Sequence, residues 1–263
     1  MLDSFGFICL FFAAVIAGAM NSVAGGGTLV SFPALVAFGV PTILANATNA
    51  ASLWPGSFSS AIAYRKDTPQ ERGLLLTLLI PSVLGSLSGA AILALTPEEL
   101  FRKIVPLLVL FATLVFAAKD VLARWVNGGQ PCEGLEPSQG SACVTAWGRV
   151  WGFLFQLFIA IYGGYFGAGM GILMLSSYSI MGLSDIHEMN GLKTIMGAVI
   201  NMIAFIYFAL RGIVLWHLAL WMALGAIVGG YAGARLAKRI DQRALRAFVI
   251  VVGLVVSVWL FVK

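Results

Sequence analysis

The feature that most constrains the fold is a long stretch without charge that glycines interrupt. The stretch from Gly18 to Asn49 contains no Asp, Glu, Lys or Arg, and three consecutive glycines, Gly25, Gly26 and Gly27, stand within it. Glycine weakens a helix at each position, and backbone groups freed by a break are costly in hydrocarbon. Such a break therefore indicates either a cavity lining or a tight turn where helices pack closely.

The same pattern returns in the second half of the chain. Gly169 lies 143 residues after Gly26, and Gly182 lies 143 residues after Gly39. The GSLSG motif at 85–89 also matches the GGYAG motif at 229–233 after a slip of one residue. Two breaks at matching positions of two half-chains are typical of the central binding site of a transporter, so the repetition favours a site over a turn.

Composition places the chain in a membrane. Its residues are 60% hydrophobic and 10% charged, whereas about a quarter of the residues of a soluble domain are charged. The net charge of +5 comes from basic residues at the ends of apolar segments, which is the positive-inside pattern of membrane proteins. We therefore expect an all-α integral membrane protein with the lipid bilayer, and no nucleic acid, as a partner.

Glycine and proline divide the chain into two predicted halves, 1–126 and 146–263, joined by a linker at 127–145 that is rich in Gly, Pro and Ser. Each half is predicted to hold five helical elements, with about 8–10 membrane segments in all. The second element of each half is too short to cross the bilayer. The predicted elements are Phe5–Ala24, Thr28–Gly39, Thr42–Tyr64, Gly73–Leu95 and Glu98–Ala123, then Trp147–Gly167, Gly171–Gly182, Ile186–Leu210, Leu215–Leu236 and Gln242–Val262.

The distribution of Lys and Arg decides between parallel and inverted repeats. If each half crosses the membrane an odd number of times, one side collects eleven basic residues and the other four, with Lys193 set aside. An even number of crossings would split them seven to eight. Because cytoplasmic loops carry the excess of Lys and Arg, the bias favours inverted repeats with both termini outside.

Motifs for several kinds of chemistry are missing from the sequence. It has no phosphate-binding loop, no H-E-x-x-H and no paired Cys and His spacing. We therefore expect neither an enzyme nor a cofactor, a catalytic residue or a metal site.

The breaks leave helices that begin inside the membrane at Thr28 and Gly171. Free N–H groups and the positive end of the helix dipole make such a start an anion site. Asn46 and Asn49 bring side-chain amides close to the first break, although such residues also form ordinary hydrogen bonds between membrane helices. Trp54 lies in mid-helix before a proline, so its indole either faces a cavity or is simply buried.

Lys193 is the ionisable residue deepest within an apolar segment. An intramembrane lysine indicates function by default, here anion binding, but its long stem could instead reach the membrane surface. Asp185 and Glu188 have the spacing of a helix-capping box, with His187 between them. Coupling of transport to protons through His187 or Glu188 stays open.

Three motifs together resemble the sulfite exporter TauE/SafE family, also called the toluene sulfonate uptake permease family. They are the glycines at 25–27, ATN at 47–49 followed by LWPGS at 53–57, and MNGLK at 189–193, which includes Asn190. The resemblance covers nearly the whole chain. It implies a multi-pass secondary carrier of sulfite, sulfonates or other small organosulfur anions in the bacterial inner membrane, and the second copy of the motif departs from the first.

The leading hypothesis is therefore a secondary transporter, an exporter by resemblance, of a small sulfur-containing anion such as sulfite or a sulfoacetate-like sulfonate. The predicted substrate-binding residues are Gly25, Gly26, Gly27, Thr28, Asn46, Asn49, Trp54, Gly169, Gly171, Asn190 and Lys193. The alternatives are a membrane enzyme or a structural subunit of a larger complex. The sequence allows a homodimer but does not fix the oligomeric state.

The charge count predicts the membrane orientation. Single cysteines at Arg211 and Lys263 should react with an impermeant maleimide added outside intact cells, whereas Cys132 and a cysteine at Arg246 should not. Labelling of Cys132 and the Arg246 position, with protection of the other two, would contradict inverted repeats with external termini.

Overall fold

The computed structural model describes residues 4–23, 25–65, 68, 72–117, 146–181, 183, 185–237 and 242–262. Within these residues the chain forms ten α-helices and no β-strand, so it is an all-α protein as predicted. The helices are α1 (Ser4–Val23), α2 (Thr28–Ala37), α3 (Thr42–Ala63), α4 (Arg72–Leu95), α5 (Glu98–Ala117), α6 (Ala146–Tyr165), α7 (Met170–Ile180), α8 (Ile186–Leu210), α9 (Trp216–Leu236) and α10 (Gln242–Val262).

The helices end where glycine and proline predict. Gly39 follows α2 with φ +84°, its N–H donates to the Val36 carbonyl, and the Val40 N–H donates to the Leu35 carbonyl. This Schellman motif satisfies the last carbonyls of α2 and needs a residue that tolerates positive φ. The predicted bounds agree with the observed ones to within two residues where they can be compared, and the predicted ends at Ala24, Ala123 and Gly182 lie outside the described residues.

Four of the described helices are long and apolar enough to cross a membrane: Ser4–Val23, Gly73–Leu95, Ile186–Leu210 and Trp216–Leu236. Large apolar side chains such as Ile8, Phe12 and Leu220 are more than half exposed, whereas Asn49 and Gln156 are buried. This distribution, apolar outside and polar inside, suits a lipid environment. The chain is therefore an integral membrane protein.

The helices α2 and α7 are short and fold back along the helix that precedes each. They have 10 and 11 residues, which gives lengths of ~15–17 Å, about half of the hydrocarbon thickness. Phe5 at the start of α1 and Phe38 just past α2 line one cavity. Gly152 near the start of α6 lies against Met181 just past α7. Each break thus forms a helical hairpin whose two ends lie at the same end of the bundle.

Two glycine seams join the halves, and each brings a first helix of one half against the fourth helix of the other. In the seam of α1 with α9, a Cβ on Gly225 would lie 2.6 Å from the Phe11 carbonyl oxygen, and Gly229 lies against Val15. Residue numbers rise together along both helices, so α1 and α9 run parallel.

The seam of α4 with α6 has the same construction. A Cβ on Gly85 would lie 2.6 Å from the Leu157 carbonyl oxygen, and Gly89 lies against Ile161. The motifs at 85–89 and 229–233, which match each other in the sequence, therefore serve the same purpose in the two seams. Bare backbone lets the helices approach closely.

Tyr–Arg pairs stand at the ends of α8 and α9. The Tyr207 hydroxyl accepts a hydrogen bond of 3.0 Å from Arg211, and the Tyr231 hydroxyl accepts one of 2.6 Å from Arg235. Each guanidinium also lies over the ring of its tyrosine, at 5.4 and 5.1 Å from the centroid. Such amphipathic pairs are typical of membrane–water interfaces.

The predicted linker at 127–145, with Cys132 and Cys143, lies outside the described residues. The division into halves at 1–126 and 146–263 and the count of membrane segments stay predictions.

The seams predict which glycines tolerate a methyl group. Gly89→Ala should lower the free energy of unfolding of the purified protein by about 1–3 kcal/mol, and with it the melting temperature, because its Cβ would overlap the Ile161 carbonyl. Gly197→Ala is the matched control, since its Cβ would meet only the Met170 side chain, at 3.8 Å. Equal melting temperatures for the two variants in the same detergent would show that the seam is not tightly packed.

Candidate functional site

Both breaks are built from glycines in conformations that other residues rarely adopt. Gly25 has φ +81°, and its N–H donates to the Met20 carbonyl at 2.9 Å. Gly167 has φ +77°, and its N–H donates to the Tyr162 carbonyl at 3.1 Å. Gly169, which caps α7, also has positive φ, at +72°. The chain can therefore turn sharply at the ends of α1 and α6.

The helices α2 and α7 begin with matching hydrogen bonds. Leu29 donates its N–H to the Gly26 carbonyl and Ile172 donates to Gly169, both at 3.0 Å. Among the described residues, no hydrogen bond engages the N–H groups of Thr28 and Gly171. Thr28 is the first residue of α2 and Gly171 is the second residue of α7, so both amides lie at the positive end of a helix dipole.

The two breaks touch each other, backbone to backbone. A Cβ on Gly25 would lie 2.6 Å from the Gly171 Cα, and a Cβ on Gly171 would lie 2.7 Å from the Gly25 Cα. These distances are too short for any side chain. The structure thus brings the predicted site residues of both halves to one point, and in this state the two backbones fill that point.

Lys193 places a charged group beside this contact. It lies two turns into α8, is 2% exposed, and its Cδ would be 3.2 Å from a Cβ on Gly171. Its ammonium donates to the Asn190 Oδ1 at 2.6 Å and to the Ser22 carbonyl at 3.2 Å. Ser22 is in the last turn of α1, where unsatisfied carbonyls form the negative end of the helix dipole. Lys193 and Asn190 therefore cap the broken end of α1.

Asn46 of α3 caps the broken end of α6, as Lys193 of α8 caps the broken end of α1. Its Nδ2 donates to the carbonyl of Tyr165, the last residue of α6, at 3.0 Å. A third helix of each half thus caps the broken first helix of the other half. The cap is neutral at Asn46 and cationic at Lys193.

Asn49 and Thr28 form a buried polar pair next to the first break. The Asn49 Nδ2 lies 3.4 Å from the Thr28 hydroxyl oxygen, and no described residue forms a hydrogen bond with the Asn49 Oδ1. A hydroxyl both donates and accepts, so Thr28 can pair with either end of the Asn49 amide. The pair can therefore present either a donor or an acceptor to a ligand.

The remaining predicted residues lie outside this cluster. Trp54 is half-buried and stacks on Phe205 of α8, with ring centroids 6.2 Å apart, so its ring joins α3 to α8. Asp185 caps α8 by accepting the His187 N–H at 2.7 Å, which confirms its predicted capping role. His187 and Glu188 are half-buried in the first turn of α8, and their role in proton coupling stays a prediction.

The sequence did not indicate every group at the site. The acceptors from Ser22 and Tyr165 are backbone carbonyls, which leave no trace in residue type. The Asn21 Oδ1 accepts the Gly27 N–H at 2.8 Å and so supports the start of α2. The described residues contain no group of three or more His, Cys, Asp or Glu that could hold a metal ion.

Comparisons with known proteins agree with the resemblance seen in the sequence. The family model for the sulfite exporter TauE/SafE matches residues 10–260. The probable membrane transporter protein ORF9 of a Sinorhizobium species is 27% identical over 95% of this chain and 90% of its own. The probable membrane transporter protein YfcA of Escherichia coli K12 is 28% identical over 94% of this chain and 87% of its own. No solved structure matches the chain significantly.

The contact between the breaks can be tested with variants that distinguish the effect of steric crowding on stability from the effect of backbone strain. Gly171→Ala adds crowding alone, and Gly25→Ala adds both crowding and strain. Gly212→Ala adds strain alone, because its φ is +70° and no atom of a described residue lies within 4 Å of its Cβ position. Gly25→Ala should therefore lower the free energy of unfolding most, by about 1–3 kcal/mol more than Gly212→Ala does.

The double variant Gly25→Ala/Gly171→Ala should lose less stability than the sum of the single losses, because both methyl groups disturb one contact. Additive losses, or an unchanged melting temperature for Gly171→Ala, would contradict direct contact between the breaks.

Proposed function

The chain belongs to the sulfite exporter TauE/SafE family, and from this premise we propose that it is a secondary transporter of small organosulfur anions in the bacterial inner membrane. Its place in the family and its similarity to probable membrane transporter proteins make it a membrane transporter. The proposal adds the cargo, namely sulfite or a small sulfonate, the outward direction and a multi-pass arrangement.

The buried ammonium of Lys193 is the observation that carries the choice of an anion. It lies beside the contact of the two breaks and is 2% exposed. A cation held at this depth attracts anionic ligands, and a charged group inside a membrane protein usually marks a transport path. One cation suits a substrate with one or two negative charges, because a larger charge would lack compensation in low dielectric.

The surrounding donors favour an oxyanion over a spherical ion. The amides of Thr28 and Gly171 point from two helix starts, and the Asn49 amide can turn a donor towards the same place. Directed donors on different sides match the spread of oxygens on a sulfite or sulfonate head better than they match chloride or a flat carboxylate.

Substrate binding must separate the two breaks, because Gly25 and Gly171 now fill the point where they meet. Lys193 is held by the carbonyl of Ser22 and the amide of Asn190. An anion would offer its ammonium a stronger, charge-assisted partner. Transfer of the ammonium from Ser22 to the anion would release the end of α1 from α8, which links binding to movement of one half against the other.

Helix directions support inverted repeats. The parallel seams pair α1 with α9 and α4 with α6, and Ser82 and Ser86 of α4 contact Met196 and Ile200 of α8 in rising order. Only the residues 211–215 separate α8 from α9, so two membrane-crossing helices joined in this way run in opposite directions. Since α9 runs in the same direction as α1, and α8 runs in the same direction as α6, the helices α1 and α6 point in opposite directions. This arrangement supports opposite orientations of the two halves in the membrane.

The proposal predicts a selective anion site that depends on Lys193. Purified protein should bind sulfite and sulfoacetate more tightly than acetate in calorimetric titrations, with taurine and sulfate as further ligands. Lys193→Ala should weaken binding more than Lys193→Arg, and Asn49→Ala should weaken it by about 1–3 kcal/mol if a buried hydrogen bond to a charged group is lost.

The matched control is Lys103→Ala, which removes an exposed lysine from α5 and should leave the affinity unchanged. Sulfur anions that bind no better than acetate would exclude the proposed cargo. Equal affinity of wild type and Lys193→Ala would exclude Lys193 from the site.

A further inference from the structure

A cavity of about 400 Å³ opens where α3 and α5 begin and where α8 ends. Glu98 and Arg211 are the two charged residues in its lining, and Ala94 and Ile213 complete its wall. A second cavity, of about 470 Å³, adjoins it across Pro41 and Leu44. The two cavities form one depression at the end of the bundle where α1, α3, α5 and α9 start.

The carboxylate of Glu98 is occupied by the start of α3. Its Oε1 accepts the Thr42 N–H at 2.6 Å and the Thr42 hydroxyl at 2.7 Å, and its Oε2 accepts the Ile43 N–H at 3.1 Å. Pro41 stands at the capping position of α3 and makes no side-chain cap. Glu98 therefore replaces the missing cap, and the positive end of the α3 dipole offsets its charge.

Arg211 supplies unused donors to the same cavity. It is exposed, and among the described residues its side chain donates one hydrogen bond, from Nη2 to the Tyr207 hydroxyl. A guanidinium has five N–H donors in a planar fork, which matches the oxygens of carboxylates, phosphates and sulfonates. Because the carboxylate of Glu98 already accepts hydrogen bonds from α3, the group that this cavity offers to a ligand is the positively charged guanidinium of Arg211, which donates hydrogen bonds.

We propose that this cavity is an anion-recruiting vestibule on the side that Arg211 is predicted to face, in which Arg211 binds the oxyanion head of small anions as they pass between the outside and the central site. Pro41, Ile43 and Leu44 in its lining belong to the start of α3, and Asn46 and Asn49 follow on the same helix. A positive charge in a concave site raises the local concentration of anions. The central site and the identity of the natural anion rest on the proposed function, whereas the positive charge in the cavity does not.

The vestibule can be tested without knowing the cargo. In a protein with Cys9, Cys132 and Cys143 replaced by serine, a reporter Ala94→Cys is reacted with two methanethiosulfonates of similar size, one bearing a sulfonate and one a trimethylammonium. The ratio of their rate constants measures the local potential. Arg211→Gln should lower the ratio of anionic to cationic rates about three- to sixfold, as expected for one charge within ~8 Å in a water-like dielectric.

Two variants serve as controls. Arg211→Lys should keep most of the ratio, and Arg235→Gln should leave it unchanged, although it removes the equivalent Tyr–Arg pair from α9. A second reporter, Ile213→Cys, repeats the measurement on the opposite wall. Ratios that do not differ between Arg211→Gln and Arg235→Gln at both reporters would overturn the vestibule.

Transport then separates this proposal from the proposed function. In proteoliposomes, Arg211→Gln should raise the KM for sulfite severalfold at low salt without changing the maximal rate, and the difference should shrink in high salt. Absence of sulfite transport by wild type would count against the proposed function alone, because the reagent ratio would still report the vestibule. A lowered maximal rate with unchanged KM would count against recruitment by Arg211.

Discussion

The backbone contact between Gly25 and Gly171 is the constraint on which the centre of this protein depends. A single methyl group on either residue would overlap the other backbone, so the half-chains meet here only because both positions lack a side chain. The contact brings the end of α1 within reach of Lys193. It also places Gly171, in the first turn of α7, against the break that precedes α2.

A helix that ends inside a buried core leaves carbonyls that water cannot satisfy. Here each half solves the problem for the other: Lys193 donates to the end of α1, and Asn46 donates to the end of α6. In the proposed site, the groups that stabilise the breaks are also those that an anion would have to engage. The proposal therefore implies that stability and binding compete for one set of donors.

The sequence predicts the helix boundaries well because glycine and proline act locally, through φ and a missing donor, whatever surrounds them. It also singles out Asn49 and Lys193, which lie buried beside the breaks, because burying an amide or a charge in an apolar segment is costly; their role in binding stays a prediction. It does not predict that Gly25 would meet Gly171, or that Ser22 and Tyr165 would supply acceptors, because these depend on tertiary contacts between backbones. Trp54 is a further example, because the sequence shows that it lies in mid-helix but does not predict that its ring stacks on Phe205.

The two halves are not equivalent at the centre. At the constant offset of 143 residues, Gly171 corresponds to Thr28, so one helix begins with bare backbone and the other with a hydroxyl that pairs with Asn49. The bare start is what lets the stem of Lys193 lie against α7. In the proposed site, an anion between the breaks would therefore meet the neutral Thr28–Asn49 pair on one side and the Lys193 amino group on the other. On this proposal, the few positions at which the two predicted repeats differ are the ones that make the site selective for anions.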